Sequence, residues 1–177
     1  RFEDLLAAMQ KASDQAERAG KIIRRMRDMV KKSDPVRWPI SLEVLLEESR
    51  AFADIEAQRT GTQIIVDIPQ NLPNIVVDRI MIEQVLLNLI KNGGESIQQA
   101  QRPPVMRHVE LRVSQRQVEQ QTVVEFCVQD TGQGVPPEML ERIYEAFYST
   151  KAEGMGIGLK LCRSIVEAHH GRLQARN

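Results

Sequence analysis

Residues 130–159 read DTGQGVPPEMLERIYEAFYSTKAEGMGIGL, a short helical segment with a glycine cluster at each end. This stretch constrains the fold more than any other, because each cluster demands a backbone that comes close to something a Cβ would block. In the first cluster, Asp130-Thr131-Gly132-Gln133-Gly134 closes a strand. In the second, Gly154, Gly156 and Gly158 lead into an apolar helix beginning near Leu159. Free backbone N–H groups and the positive end of that helix then face an anion. Either cluster alone is an ordinary turn signal. Two of them flanking one helix point to phosphate.

The remaining 147 residues must supply a scaffold for these loops. Lys plus Arg equals Asp plus Glu at 24 each in a chain of 177, so no net field draws nucleic acid and no such partner is expected. No apolar run is long enough for a membrane span, and no signal-peptide pattern opens the sequence. The expected location is cytoplasmic, with the parent protein either soluble or membrane-anchored. Cys127 and Cys162 lack paired spacing and read as small buried hydrophobes. Aromatic residues make up 4% of the chain, so the core must be aliphatic.

Between residues 2 and 32 there is no proline, and Leu5, Met9, Ala12, Ala16, Ala19, Ile23, Met26 and Val30 recur at helical spacing. This is a long amphipathic helix whose narrow stripe suits a bundle and needs a partner helix. Residues 31–39, KKSDPVRWP, end it with two prolines. The expected organisation is a bundle helix over 1–33, a linker over 34–40 and a domain over 41–177.

That domain reads as an α/β sandwich. Ser41 caps a helix over 42–58, with Leu45, Leu46, Phe52 and Ile55 toward the core and Gly61 at its end. Strands follow over 62–68 and 75–77, and Asp78 caps a helix over 79–101 that buries Ile82, Val85, Leu86, Leu89, Ile90 and Ile97. On its other face Asn88, Asn92 and Glu95 form a row. A hairpin carries Val109, Leu111 and Val113 on one strand and Val124, Phe126 and Val128 on the other, joined by a turn over 115–121. A short helix over 138–146, a longer one over 159–169 and the start of a strand over 172–175 complete the chain.

An ATP site needs a carboxylate for the adenine amine, backbone donors for phosphates and oxygen ligands for Mg²⁺. Mg²⁺ keeps several waters, so one amide oxygen such as that of Asn92 suffices as a protein ligand. With these residues placed, the sequence resembles the sensor histidine kinases of two-component systems. Residues 84–97, QVLLNLIKNGGESI, look like the N box of that family. DTGQG is similar to its first glycine box, AFYSTK (146–151) to its F box and GMGIGL (154–159) to its second glycine box. The short gap between Lys151 and Gly154 is most similar to the FixL-like and NtrB-like subgroup. Residues 17–30, ERAGKIIRRMRDMV, resemble the second helix of the family's dimerisation and phosphotransfer hairpin.

The resemblance implies a Bergerat-type ATP-binding fold, a two-layer sandwich with helices on one face of a mixed sheet, preceded by the bundle-forming helix. It implies ATP and Mg²⁺ as cofactors, a response-regulator receiver domain as partner and a homodimer through the N-terminal helix. Asp130 would accept from the adenine amine, and Asn92 would bind Mg²⁺. Asn88 would support the phosphates or the metal shell, with Asn88, Asn92 and Lys151 as the catalytic set. Gly132, Gly134 and Val135 would border the nucleotide, and Thr150, Lys151, Gly154, Met155, Gly156, Ile157, Gly158 and Leu159 would form the lid. The reaction implied passes the γ-phosphoryl of ATP to a histidine and then to an aspartate.

Two departures stand out. No phosphoacceptor motif is present: His108 lies at a strand edge, and His169 and His170 fall in the tail EAHHGRL. Gly93-Gly94 replaces the small alanine-containing pair common after the second asparagine, at roughly 1 kcal/mol of helix propensity per glycine. Two alternatives remain. One is a superfamily ATPase, disfavoured because Asn88 stands where a glutamate would activate water. The other is a non-catalytic nucleotide-binding module.

Overall fold

The computed structural model describes residues 35–149 and 156–177, with residues 6, 8–13, 15, 16 and 20 of the N-terminal segment. Those N-terminal residues are helical, and Met9 of the apolar stripe is 62% exposed. The rest of the expected helix lies outside the described residues.

The stretch read as a linker contains a strand. Residues Trp38–Ile40 (β1) pair antiparallel with Ile75–Val77 (β3), with Trp38 opposite Val77 and Ile40 opposite Ile75. Pro39 is tolerated because this ribbon has only two strands, so every backbone position lies at an edge.

Helix α1, Leu42–Thr60, starts where the Ser41 hydroxyl accepts from the Glu43 N–H at 3.2 Å and stops at Gly61, whose φ of 64° suits glycine. Its buried stripe is Leu42, Leu45, Leu46, Ser49 and Ala53. Phe52 and Ile55, expected toward the core, are 54% and 65% exposed. At about 100° per residue they lie roughly 80° and 140° from the stripe's centre, so helical rotation turns them outward.

Strand β2, Gln63–Asp67, runs parallel to β4, His108–Val118, which pairs antiparallel with β5, Gln121–Asp130. The order β2-β4-β5 makes a mixed sheet. Its hairpin is tighter than the sequence suggested, because pairing continues to Val118 opposite Gln121. Glu119 and Gln120 therefore make the turn alone, both at positive φ, 47° and 69°.

Helices α2, Arg79–Gln99, and α3, Gly158–Ala168, pack with α1 on one face of this sheet. Val109, Leu111 and Val113 alternate along β4 and are all buried beneath them. Between them, Glu110 and Arg112 face away, with Arg112 3.4 Å from Asp67. Cys127 sits opposite Arg112 and is only half-buried, unlike the expected core residue, whereas Cys162 is buried. The main core joins Leu42, Leu45 and Leu46 to Ile82, Val85, Leu86, Leu111, Val113, Cys162 and Ile165. Burying each such aliphatic side chain contributes roughly 1.5–3 kcal/mol.

Two expected elements differ. Residues 138–146 form two 3₁₀ turns, Pro137–Met139 and Arg142–Tyr144, in place of one helix. Paired prolines at 136 and 137 start the segment, and Glu145, extended with ψ 140°, ends the second turn before a longer helix forms. Residues 172–175 form no strand, having no ladder partner among the described residues.

The chain entering β1 is fastened to the helices. Val36 N–H donates to Asp78 Oδ2 at 3.1 Å, while Asp78 Oδ1 caps α2 through the Met81 N–H. Arg37 donates to the carbonyl of Ala168, and its Nη1 lies 3.1 Å from His170 Nε2. His169 Nε2 in turn accepts from the Asp78 N–H at 2.9 Å, so both histidines at the end of α3 make structural contacts.

Candidate nucleotide site

The site is built along one face of α2. Asn88 and Asn92 are one turn apart, and Ser96 continues the series. Residues four apart stand one above the other about 6 Å along the axis, so these three side chains form a row. The sequence placed Glu95 third. Instead Glu95 turns toward Arg59 and Lys91, with its Oε1 3.8 and 3.9 Å from them.

Each end of the row touches one glycine loop. At the Ser96 end, the hydroxyl accepts from Gln133 N–H at 3.3 Å, and a Cβ on Gly132 would lie 1.9 Å from Ser96 Oγ. Only glycine fits. At the Asn88 end, a Cβ on Gly158 would lie 2.7 Å from Asn88 Oδ1. The half-buried Asn92 stands between the two loops.

Asp130 ends β5 beside this row, exposed, with Oδ1 accepting from the Gly132 N–H at 2.8 Å. Gly93 explains how the helix comes so near: a Cβ there would meet Asp130 Cβ at 3.0 Å and Val109 Cγ2 at 3.1 Å. Gly94 likewise faces Thr60, 3.1 Å from where its Cβ would be. The glycine pair that weakens helix propensity allows α2 to settle onto the sheet and α1.

Several side chains with no recognisable motif of their own hold the first loop. Arg102 donates to the carbonyls of Thr131 and Gly132 at 3.1 and 3.3 Å. The Thr131 hydroxyl bonds Met106 O and accepts from His108 N–H at 3.3 Å. Gly134 has φ 72°, and Val135 is tied through both backbone groups to the Asn177 side chain. Ser96 had a signal, its i+8 spacing from Asn88; Arg102 had none.

At the second loop, Gly156 has φ 64°, and its carbonyl accepts from Phe147 N–H at 2.9 Å. Its missing Cβ leaves room for the Phe147–Tyr148 backbone, 2.5 Å away. Ile157 is buried, and Leu159 is half-buried on the first turn of α3. That first turn has no side-chain cap, whereas Ser41 and Asp78 cap α1 and α2. Among the described residues no side chain caps the first N–H groups of α3, and such groups suit phosphate oxygens. Thr150, Lys151, Gly154 and Met155 lie outside the described residues.

Among the described residues no cluster of His, Cys, Asp and Glu could hold a metal. The amide oxygens of Asn88 and Asn92 suit an ion that keeps most of its waters and takes a single protein oxygen, as Mg²⁺ does. Concave grooves of about 500 Å³ beside Gly61 and Arg107 and about 450 Å³ beside Tyr144 and Arg163 lie away from this row.

Residues 77–177 match the family described as "Histidine kinase-, DNA gyrase B-, and HSP90-like ATPase". The chain belongs to this family. Sensor protein FixL of Bradyrhizobium diazoefficiens is 36% identical over 171 residues, 97% of this chain and 32% of its own length. The C4-dicarboxylate transport sensor protein DctS of Rhodobacter capsulatus is 38% identical over 169 residues, 96% of this chain and 25% of its own length. The chain thus spans a third or less of these relatives. Among solved structures, full-length ShkA in complex with AMPPNP matches with a TM-score of 0.68 at 24% identity, over 94% of this chain and 34% of that one. Histidine kinase ThkA in complex with response regulator protein TrrA matches at 0.65 and 20% identity, over 93% of this chain and 45% of that one. These likenesses establish the shared fold of helices over a mixed sheet.

Proposed function

We propose that this chain is the ATP-binding catalytic domain of a two-component sensor histidine kinase, joined to the second helix of its dimerisation hairpin. The observation that carries the reading is the row Asn88–Asn92–Ser96, which spans from one glycine loop to the other. Adenine lies at the Asp130 end, where Oδ2 accepts from the amine while Oδ1 is held by Gly132. The phosphates lie at the Asn88 end, against the uncapped start of α3, and Thr150, Lys151 and residues 154–159 cover them.

ATP supplies the phosphoryl group, and Mg²⁺ neutralises charge on it. Asn92 offers its Oδ1 as the protein ligand of the metal, and Asn88 steadies the phosphates or the metal's waters. Lys151 contributes positive charge from the lid. Catalysis by such a site is positioning and charge stabilisation. Phosphoryl transfer to water is disfavoured because an amide at residue 88 cannot take a proton from water.

In this proposal residues 1–33 pair with a preceding helix to form a dimeric bundle, and residues 34–40 link that bundle to the domain over 41–177. The partner is the receiver domain of a response regulator. The solved complex of ThkA with TrrA supports a partner of this kind. Among the described residues no helix is long and apolar enough to cross a membrane, and we place the domain in the cytoplasm.

Incubation with γ-labelled ATP tests the reading. The chain as given should take up no label, since its histidines lie outside any acceptor position, and a chain extended upstream through the hairpin should take up acid-labile label. Acid-stable label on Ser or Thr, or none on the extended chain, would contradict it.

A further inference from the structure

Cys162 is 2% exposed, lies on α3 one turn after Gly158 and makes two polar contacts, both with α2. Its Sγ is 3.2 Å from Asn88 Nδ2 and 3.9 Å from the Val85 carbonyl oxygen. A carbonyl only accepts, so the thiol proton points to Val85, and the sulfur lone pairs are left to accept from the amide NH₂ of Asn88. Burial pushes the thiol up to about 11, so it keeps that proton at neutral pH.

An amide can be rotated by half a turn without changing shape, which exchanges its oxygen and its NH₂. With Nδ2 held by Cys162, the Asn88 amide lies against Gly158, where a Cβ would be 2.7 Å from Oδ1 and 2.9 Å from Nδ2. That is the edge of the second glycine loop. A metal ion or its water requires the oxygen there.

We infer that Cys162 is a positioning residue that sets the orientation of the Asn88 amide, presenting Oδ1 to the magnesium shell of the bound nucleotide. Gly158 and Cys162, four residues apart on α3, act together: one leaves room for the amide and the other sets its direction. The inference rests on the proposed placement of Asn88 at the phosphates. It goes further by assigning the buried thiol a role in metal-linked nucleotide affinity.

Calorimetric titration of this chain with ATP, in Mg²⁺ and in EDTA, tests it through Cys162→Ala, Cys162→Ser, Asn88→Ala and the double variant Cys162→Ala/Asn88→Ala. Cys162→Ala should weaken binding in Mg²⁺ by about threefold to tenfold, the loss of one neutral hydrogen bond, and change binding in EDTA much less. Cys162→Ser, which can also accept from Asn88 and donate to Val85, should restore at least half of the lost binding free energy. In the Asn88→Ala background, Cys162→Ala should have no further effect on affinity, although it lowers the thermal midpoint in both backgrounds. Unchanged affinity in folded Cys162→Ala, or the same loss without Asn88, would overturn the inference while leaving the site reading intact. Unchanged affinity in Asn88→Ala would overturn both.

Discussion

Gly93 lies so close to Asp130 that a Cβ on the glycine would stand 3.0 Å from the aspartate's own Cβ. The helix that carries the two asparagines and the strand that delivers the carboxylate are thereby held at a separation that a methyl would widen by a few tenths of an ångström. Gly93→Ala sets two effects against each other. Helix propensity gains roughly 1 kcal/mol, and the contacts with Asp130 and Val109 remove a comparable amount. Stability should change by less than about 1 kcal/mol, while ATP affinity falls as α2 is pushed from Asp130. Thermal denaturation beside calorimetry checks this; unaltered affinity would show that the separation does not matter.

Gly132→Ala should be more severe. Its Cβ would fall 1.9 Å from Ser96 Oγ and 2.5 Å from Asp130 Oδ1, so the first loop must move. Binding should fall by at least about tenfold, the equivalent of roughly 1.4 kcal/mol. Adding Ser96→Gly, which removes Oγ and also the Ser96 Cβ that would lie 2.7 Å away, should recover part of it. Titrations of the single and double variants measure the recovery.

These glycines show what the sequence could and could not reveal. The two glycine boxes, the asparagine pair and the caps at Ser41 and Asp78 were legible because each is a local pattern with a local cause. The roles of Gly93 and Gly94 were not. Read within α2 they only weaken a helix, and their use appears when β4, β5 and α1 pack against them. Trp38–Ile40 was hidden for the same reason, since a three-residue strand exists only through its partner 37 residues away. Phe52 and Ile55 were misplaced because hydrophobicity outweighed rotation about the helix. Arg102 looked like any loop arginine, although it binds two carbonyls of the first loop.

The junction between β1 and the helices should control stability more than binding. Asp78 N–H donates to His169 Nε2 at 2.9 Å, and His169 Nδ1 is 2.8 Å from the Ile165 carbonyl. His169→Ala leaves the half-buried Asp78 N–H without that acceptor, at a cost of roughly 1–3 kcal/mol. The thermal midpoint should drop by about 2–10 °C, with ATP affinity altered less than twofold. A large loss of affinity at an unchanged midpoint would be the opposite pattern.

Alkaline stability should report the buried thiol. Burial raises Cys162 from the ordinary thiol range to about 11, so the unfolded chain releases this proton at lower pH than the folded chain does. Stability from this source is intact below about pH 9 and declines toward pH 11, by up to roughly 3 kcal/mol. In nucleotide-free denaturant titrations, Cys162→Ala should lose less stability than the parent between pH 8.5 and 10.5. Parallel pH curves for the two chains would contradict this.

In the proposed site Asp130 reads adenine and Asn92 holds the metal at opposite stretches of one nucleotide. Calorimetric titration of ATP into the parent chain, Asp130→Asn and Asn92→Ala, each with Mg²⁺ and with EDTA, tests it most directly. Losing a hydrogen bond to a charged acceptor costs roughly 1.5–3 kcal/mol, so Asp130→Asn should bind at least about tenfold more weakly under both conditions. Asn92→Ala should bind equally in Mg²⁺ and EDTA, whereas the parent binds more tightly with the metal. Unchanged affinity in both variants, with the metal dependence of the parent intact, would contradict the account.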